Sequence, residues 1–421
     1  MQTQRITFAK RYILQQTTTI MRFKKIMLAA ALVAAMTVSE PASAKKHWVA
    51  TWATAEQIAE PHNCPPQPGL AGNSLRQIVE TSIKGSKVRL RFSNEFGKEP
   101  VEITSAQIAI ALTAGESPAV DEGTTRQLSF NGSSSVTIQP GQYVTSDPVK
   151  LKLPERSDVA ITLHFGSISS TTVTSHPGSR TTSYLATGNT TDFSDAVTTA
   201  HWYIINDIEV LAPAKAGSIV ALGNSITDGR GTTTNGQDRW TDNLSRRLLA
   251  DKATRNLSVL NMGLGGNCIL NGGLGPTART RYTRDLFGQA GVKYVILFEG
   301  VNDLGGFGDA VAKADQIIEV WKQIASEAHE RGIKVIGATV MPFKGNGYYN
   351  PNHEAGRKKL NDWILSYEGF DGTIDFAAYT CDPSDPERLN PEYLFENDWL
   401  HPNAKGYKAM ADLIDLTIFK D

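Results

Sequence analysis

The sequence predicts two domains of different class: an all-β jelly roll or sandwich, followed by an α/β domain built on a three-layer parallel sheet. Three observations predict it. The chain has 421 residues, enough for two domains of ordinary size. Residues 48 to about 212 alternate apolar and polar side chains between turn signals and show no convincing helix. Beyond them, short apolar runs alternate with helical patterns, the order expected of parallel strands covered on both faces.

The first 44 residues stand apart from both domains. Met21 offers a plausible start, followed by Arg22, Lys24 and Lys25, an apolar run from Ile26 to Val38, and the small residues Ala42-Ser43-Ala44. This is the build of a secretory signal peptide, with an apolar run too short to span a bilayer. It predicts a secreted or periplasmic protein, and no later stretch predicts stable membrane insertion. Residues 1–44 hold six Lys+Arg and one Glu, so the remaining chain carries a net −6 where the whole carries −1. A mildly acidic exported chain has no electrostatic footprint for nucleic acid.

The β-domain is expected over 45–212. Val88, Leu90 and Phe92 alternate with Lys87, Arg89 and Arg91, and Val159, Ile161, Leu163 and Phe165 with Ala160, Thr162 and His164. That is the period of a half-buried strand. Val101–Ala111 and Val149–Leu153 read similarly, and turns fall at Asn94–Gly97, Asn131-Gly132 and Pro140-Gly141. Residues 211–217 (LAPAKAG) read as a linker.

The second domain is expected over 213–421. Ser218–Leu222, Leu257–Leu260, Tyr294–Phe298, Lys334–Val340 and, more weakly, Thr373–Phe376 are its strands. Helical patterns cover about Arg239–Ala250, Asp309–Arg331, Glu354–Tyr367 and Ala404–Phe419. The three cysteines, Cys64, Cys268 and Cys381, match no zinc spacing. An exported chain could pair two of them, and none reads as catalytic.

In open parallel sheets the functional loops leave the C-terminal ends of the strands. Four such segments carry chemistry here. The first is Gly223-Asn224-Ser225-Ile226-Thr227-Asp228-Gly229, a serine between a buried strand and a helix. The second, Asn261-Met262-Gly263-Leu264-Gly265-Gly266-Asn267, lets backbone N–H groups approach a ligand. The third, Glu299-Gly300-Val301-Asn302-Asp303, offers an amide that can donate to a developing oxyanion. In the fourth, Asp398-Trp399-Leu400-His401, a carboxylate three residues before a histidine can hold its imidazole. Taken singly, each is an ordinary turn.

Together and in this order, the four segments resemble the marker blocks of the SGNH (GDSL-like) hydrolase family. Residues 266–276 (GNCILNGGLGP) look like its secreted bacterial two-domain members, and a β-domain beginning near Trp48-Val49-Ala50-Thr51-Trp52 agrees with that type. The resemblance spans about Gly217 to Asp421. It implies a flavodoxin-like parallel sheet and a serine esterase that needs neither metal nor organic cofactor. Ser225 would be the nucleophile, His401 the base and Asp398 its orienting partner. The N–H groups of Ser225 and Gly266 and the side chain of Asn302 would form the oxyanion hole, with Gly265 a close competitor for the Gly266 role. One position departs from the pattern: Asn224 stands where the family has Asp, keeping an acceptor oxygen but losing the charge. The implied partner is an ester substrate. Export and the attached β-domain favour an acylated carbohydrate, with a lipase or general acyl esterase as the alternative and a non-catalytic carbohydrate-binding protein behind both.

Overall fold

The alternating residues of the N-terminal half pair into antiparallel strands in the computed structural model, which describes residues 46–420. The leader read in residues 1–44 lies outside the described residues. One sheet runs Val197–Thr199, Ser183–Ala186, Ser74–Glu80, Asp158–Phe165, Val101–Ile110 and Arg126–Gln127, with Val136–Ile138 also paired to Val101–Ile110. The other runs Lys46–Ala53, Ile205–Pro213, Gly85–Ser93 and Tyr143–Thr145, with Val149–Leu153 also on Gly85–Ser93. Leu75, Ile103 and Leu163 from the first sheet meet Val88, Leu90, Phe92, Ile208 and Val210 from the second in one core. The outward positions of Gly85–Ser93 are the charged residues Lys87, Arg89 and Arg91, as the alternation predicts. A third, three-stranded sheet joins Trp202–Tyr203, Thr174–His176 and Gln57–Ile58.

The expected linker is shorter than its composition suggests. Leu211, Ala212 and Pro213 end the strand Ile205–Pro213 and pair with Trp48, His47 and Lys46. Proline is tolerated there because it sits at a strand end. Only residues 214–216 separate this strand from the next, Gly217–Gly223.

Gly217–Gly223 is the second strand of a five-stranded parallel sheet ordered Leu257–Gly263, Gly217–Gly223, Val292–Phe298, Lys334–Ala338, Gly372–Ile374. In chain order this is 2-1-3-4-5, the flavodoxin-like arrangement, whose switch point lies between the first and third strands. Every residue of Gly217–Gly223 is buried, so both sheet faces are covered there. Helices Trp240–Ala250 and Ala404–Asp412 pack on each other, as do Ala310–Glu330 and Pro351–Ser366. Ala310–Glu330 shows why the long helices form. Asp309 caps it by accepting from the Val311 N–H at 3.0 Å, and Ala310, Ala314, Ile317, Trp321, Ile324 and Ala328 bury one stripe. The helical pattern expected through Phe419 is broken: the α-helix stops at Asp412, and Leu416–Phe419 is a 3-10 turn.

The first strand also ties the two halves together. Ala50 donates its N–H to Ala290 O at 3.0 Å and accepts from Ser258 Oγ at 2.6 Å, and Thr54 bridges Asn261 in parallel. This segment thereby covers the edge strand of the parallel sheet. Ser82 Oγ and Ser245 Oγ, 2.7 Å apart, add a buried contact. All three cysteines are free, so the possible disulfide does not form, and burial pushes the Cys268 thiol up to about 12. Among the described residues no helix is long and apolar enough to cross a membrane.

Candidate active site

The site is assembled where the parallel strands end. After Gly223 the chain turns at Asn224, which is extended and whose Oδ1 accepts from the Ile226 N–H at 3.0 Å. This capping bond starts the one-turn helix Ser225–Asp228. Asn224 thus supplies the acceptor that the family's aspartate would supply, without the charge. The Gly229 and Arg230 N–H groups both close on Ser225 O at 2.9 Å. Gly263, at the end of the second strand, lies so close to this turn that a Cβ there would sit 2.2 Å from the Asp228 nitrogen. Only glycine allows that approach.

The fourth segment reaches Ser225 from the C-terminal end of the chain. Asp398 Oδ1 accepts the N–H groups of Leu400 at 2.9 Å and His401 at 2.8 Å, which closes the turn. Its Oδ2 lies 2.6 Å from His401 Nδ1, and His401 Nε2 lies 2.7 Å from Ser225 Oγ. An ionised carboxylate only accepts, so Nδ1 carries the proton and Nε2 is left to accept from the serine hydroxyl. Burial pushes the Asp398 carboxyl up, but the hydrogen bonds from the His401 ring and from the His401 and Leu400 N–H groups outweigh it. They hold the group below the usual carboxylate range. Glu396, Asn397 and Trp399 all have positive φ, so this turn stores backbone strain. Asn346 Nδ2, donating to Asp398 O at 2.7 Å, and Arg388, 4.5 Å over the Trp399 ring, help to hold it.

The oxyanion candidates lie in the two intervening loops. Among the described residues, the N–H groups of Ser225, Gly265 and Gly266 donate to nothing, so Gly265 and Gly266 both remain available. Asn302 accepts from Tyr348 O–H at 3.1 Å and donates one amide hydrogen to Asn267 O at 2.8 Å. Its second amide hydrogen is left over. Asp303 shapes the glycine loop by accepting from the Ile269 and Leu270 N–H groups at 2.8 and 2.9 Å. Burial nonetheless raises its carboxyl above the usual range, these bonds notwithstanding.

Two further features, absent from the sequence reading, hold the site. Arg281 is fully buried and donates to Gly223 O at 2.9 Å, Met262 O at 2.7 Å, Asn267 Oδ1 at 3.0 Å and Asp285 Oδ2 at 2.9 Å. One guanidinium therefore ties the ends of the first two strands to the glycine loop. The second feature comes from the β-domain. His176 Nε2 lies 2.9 Å from Asp228 Oδ1 and Arg180 Nη2 lies 3.3 Å from Oδ2, while His176 Nδ1 faces Ala55 O at 2.8 Å. Burial pushes the Asp228 carboxyl up, but His176, Arg180 and Arg239 outweigh it and hold it low. The β-domain thus grips the turn that carries Ser225. The pattern alone could not reveal a contact that joins positions 48 residues apart.

Residues 221–409 match the GDSL-like lipase/acylhydrolase family. This region is a GDSL-like lipase/acylhydrolase domain. Solved structures similar to the chain include a GDSL-like lipase from Bacteroides thetaiotaomicron VPI-5482, at 20% identity and TM-score 0.35 over 48% of this chain and 87% of that one. A member of the lipolytic protein G-D-S-L family from Veillonella parvula DSM 2008 matches at 17% identity and TM-score 0.33, over 47% and 95%. A catalytic mutant of an acetylxylan esterase from Geobacillus stearothermophilus matches at 16% identity and TM-score 0.36, over 49% and 95%. No curated protein matches the chain. The GDSL-like family implies acyl-ester hydrolysis, and its matched span contains all five site residues expected from the sequence: Ser225, Gly266, Asn302, Asp398 and His401.

Proposed function

We propose that the chain is an exported serine esterase acting on short-chain acyl esters, above all acetyl groups on carbohydrate. The observation that supports this reading is the unbroken hydrogen-bonded line Ser225 Oγ, His401 Nε2, His401 Nδ1, Asp398 Oδ2. A decayed, purely binding scaffold has no reason to keep that line. The steps follow from it. His401 takes the Ser225 proton as the hydroxyl attacks the ester carbonyl. The tetrahedral oxyanion is met by the Ser225 and Gly266 N–H groups and the free amide hydrogen of Asn302, each worth on the order of 3 kcal/mol. His401 then protonates the leaving alcohol, and water, activated by the same imidazole, hydrolyses the acyl-enzyme. Every group in these steps belongs to the chain, so the mechanism calls for no cofactor.

The leader read in residues 1–44 supports a substrate outside the cytoplasm, and the glycine- and asparagine-rich turns around Ser225 offer little apolar wall for a long acyl chain. A second reading, a lipase or general acyl esterase, is favoured by one observation. Phe307, five residues beyond Asn302, is wholly exposed, and Leu274, on the loop against Gly266, is half exposed. Hydrolysis of chromogenic esters of graded acyl length, by the parent and by Ser225→Ala, separates the readings. The proposal expects acetate to be preferred over octanoate, and Ser225→Ala to lose at least about a thousandfold. A higher kcat/KM for octanoate would select the lipase reading, and a near-normal Ser225→Ala rate would remove both.

A further inference from the structure

A cleft of about 260 Å³ opens between the β-domain and the hydrolase domain. Its hydrolase wall begins at the catalytic turn. Arg230, whose N–H bonds Ser225 O, lines it, as does Gly265, the neighbour of Gly266. Leu274 adds a half-exposed apolar surface to the same wall. The facing wall comes from the β-domain and includes Glu60, Asn63 and Arg180. Glu60 is fixed there by two amides, Gln57 Nε2 on Oε1 at 2.5 Å and Asn63 Nδ2 on Oε2 at 2.9 Å. Arg180 is held by Asp228 but keeps about a third of its side chain exposed. Arg230 is exposed over the Phe395 ring and has no carboxylate partner among the described residues.

We propose that this cleft is the subsite for the alcohol half of the ester and that it takes one neutral sugar ring. The proposal rests on the serine-esterase reading for its link to catalysis. The chemistry of the lining selects the ligand class. An anionic ligand would meet the fixed Glu60 carboxylate, and a cationic one would meet two guanidiniums. Neutral hydroxyls satisfy both, donating to Glu60 and accepting from Arg180 and Arg230. The C–H face of the ring has Leu274 to cover it. The volume is below the roughly 300–1,000 Å³ of pockets that enclose drug-sized ligands, which suits one ring rather than an extended chain. Glu60 and Asn63 both belong to residues 60–69 (EPHNCPPQPG), a proline-rich connection of the β-domain.

The test compares an O-acetylated methyl xyloside with phenyl acetate, in the parent, Glu60→Gln and Arg230→Met, with circular dichroism to verify folding. The proposal expects the ratio of kcat/KM for the xyloside to that for phenyl acetate to fall on the order of tenfold in each variant, mainly through KM. A parent that hydrolyses both esters, with variants whose ratio is unchanged, overturns the subsite and leaves the esterase reading standing. A parent that hydrolyses neither overturns the esterase reading. The subsite is then judged by saturation-transfer NMR with unacetylated methyl xyloside. Binding lost in Glu60→Gln supports it, and absence of binding to the parent overturns it. In the same NMR measurement, tighter binding of a methyl glucuronide than of the xyloside overturns the assignment to a neutral ring. Arg230 lies on the surface, so Arg230→Met keeps the test open if Glu60→Gln misfolds.

Discussion

Asp398 does two jobs with one carboxylate. Oδ1 builds the turn through two backbone N–H groups, and Oδ2 holds the His401 ring. An Asp398→Asn variant keeps the first job, because an amide oxygen still accepts. It loses the second, because the amide NH₂ presented to Nδ1 favours the wrong tautomer. The expected outcome is a fall in kcat of about 10⁴ with little change in thermal stability. A variant as active as the parent would show that the orienting group lies elsewhere. At this scale Asn224, Ser225, Asn302, Asp398 and His401 stand out through the order of four short segments along the chain, each an ordinary turn by itself. Arg281, His176 and Arg180 do not, because each acts on groups far along the chain, Arg281 on a carbonyl 58 residues away.

Arg281 sits in the short helix Ala278–Tyr282 and governs how the strand ends meet. Its removal leaves Asp285 with less compensation and Glu299, 3.6 Å away and fully buried, with none from this residue. Arg281→Met should therefore destabilise by about 3–5 kcal/mol, the cost typical of breaking a buried pair from one side. Urea unfolding measures it, and a loss below about 1 kcal/mol would show that the arginine is not what holds the loop ends. Among the elements, the five parallel strands and four main helices could be read because burial on one face or both imposes a clear period. Ser74–Glu80 could not. It is buried almost throughout, yet Arg76 and Gln77 interrupt its apolar run. They are satisfied by Thr162 Oγ1 at 2.9 Å and Tyr203 O at 3.0 Å, partners that only the folded sheet supplies. Ile205–Pro213 was hidden for another reason: its last residues have the composition of a linker, and their strand character comes from pairing with Lys46–Trp48.

Across the whole molecule, the seam between the domains is rich in charge. Around Asp285, the guanidiniums of Arg281 and Arg284 face the carboxylates of Asp285, Glu299, Glu56 and Glu95, so two carboxylates lack a cation. Glu56 and Glu299 are the most buried, and burial raises each from 4.5 to about 8. Between those values the folded chain binds more protons than the unfolded one, so stability falls as pH rises. Asp228 and Asp398 act in the opposite sense: their folded values lie below 3.8, and their contribution is lost only as pH falls through them. Thermal melts should therefore give a higher Tm at pH 5 than at pH 8. An equal or higher Tm at pH 8 would contradict this charge assignment.

If Ser225 is the nucleophile, its Oγ is the atom that an active-site-directed electrophile modifies. Intact-mass spectrometry followed by peptide mapping, after reaction with a fluorophosphonate ester probe, locates the modification. The expected result is one adduct per chain, on Ser225, absent in Ser225→Ala and formed far more slowly in His401→Ala. An adduct on any other residue, or undiminished esterase turnover by a Ser225→Ala protein that takes up no label, would contradict it.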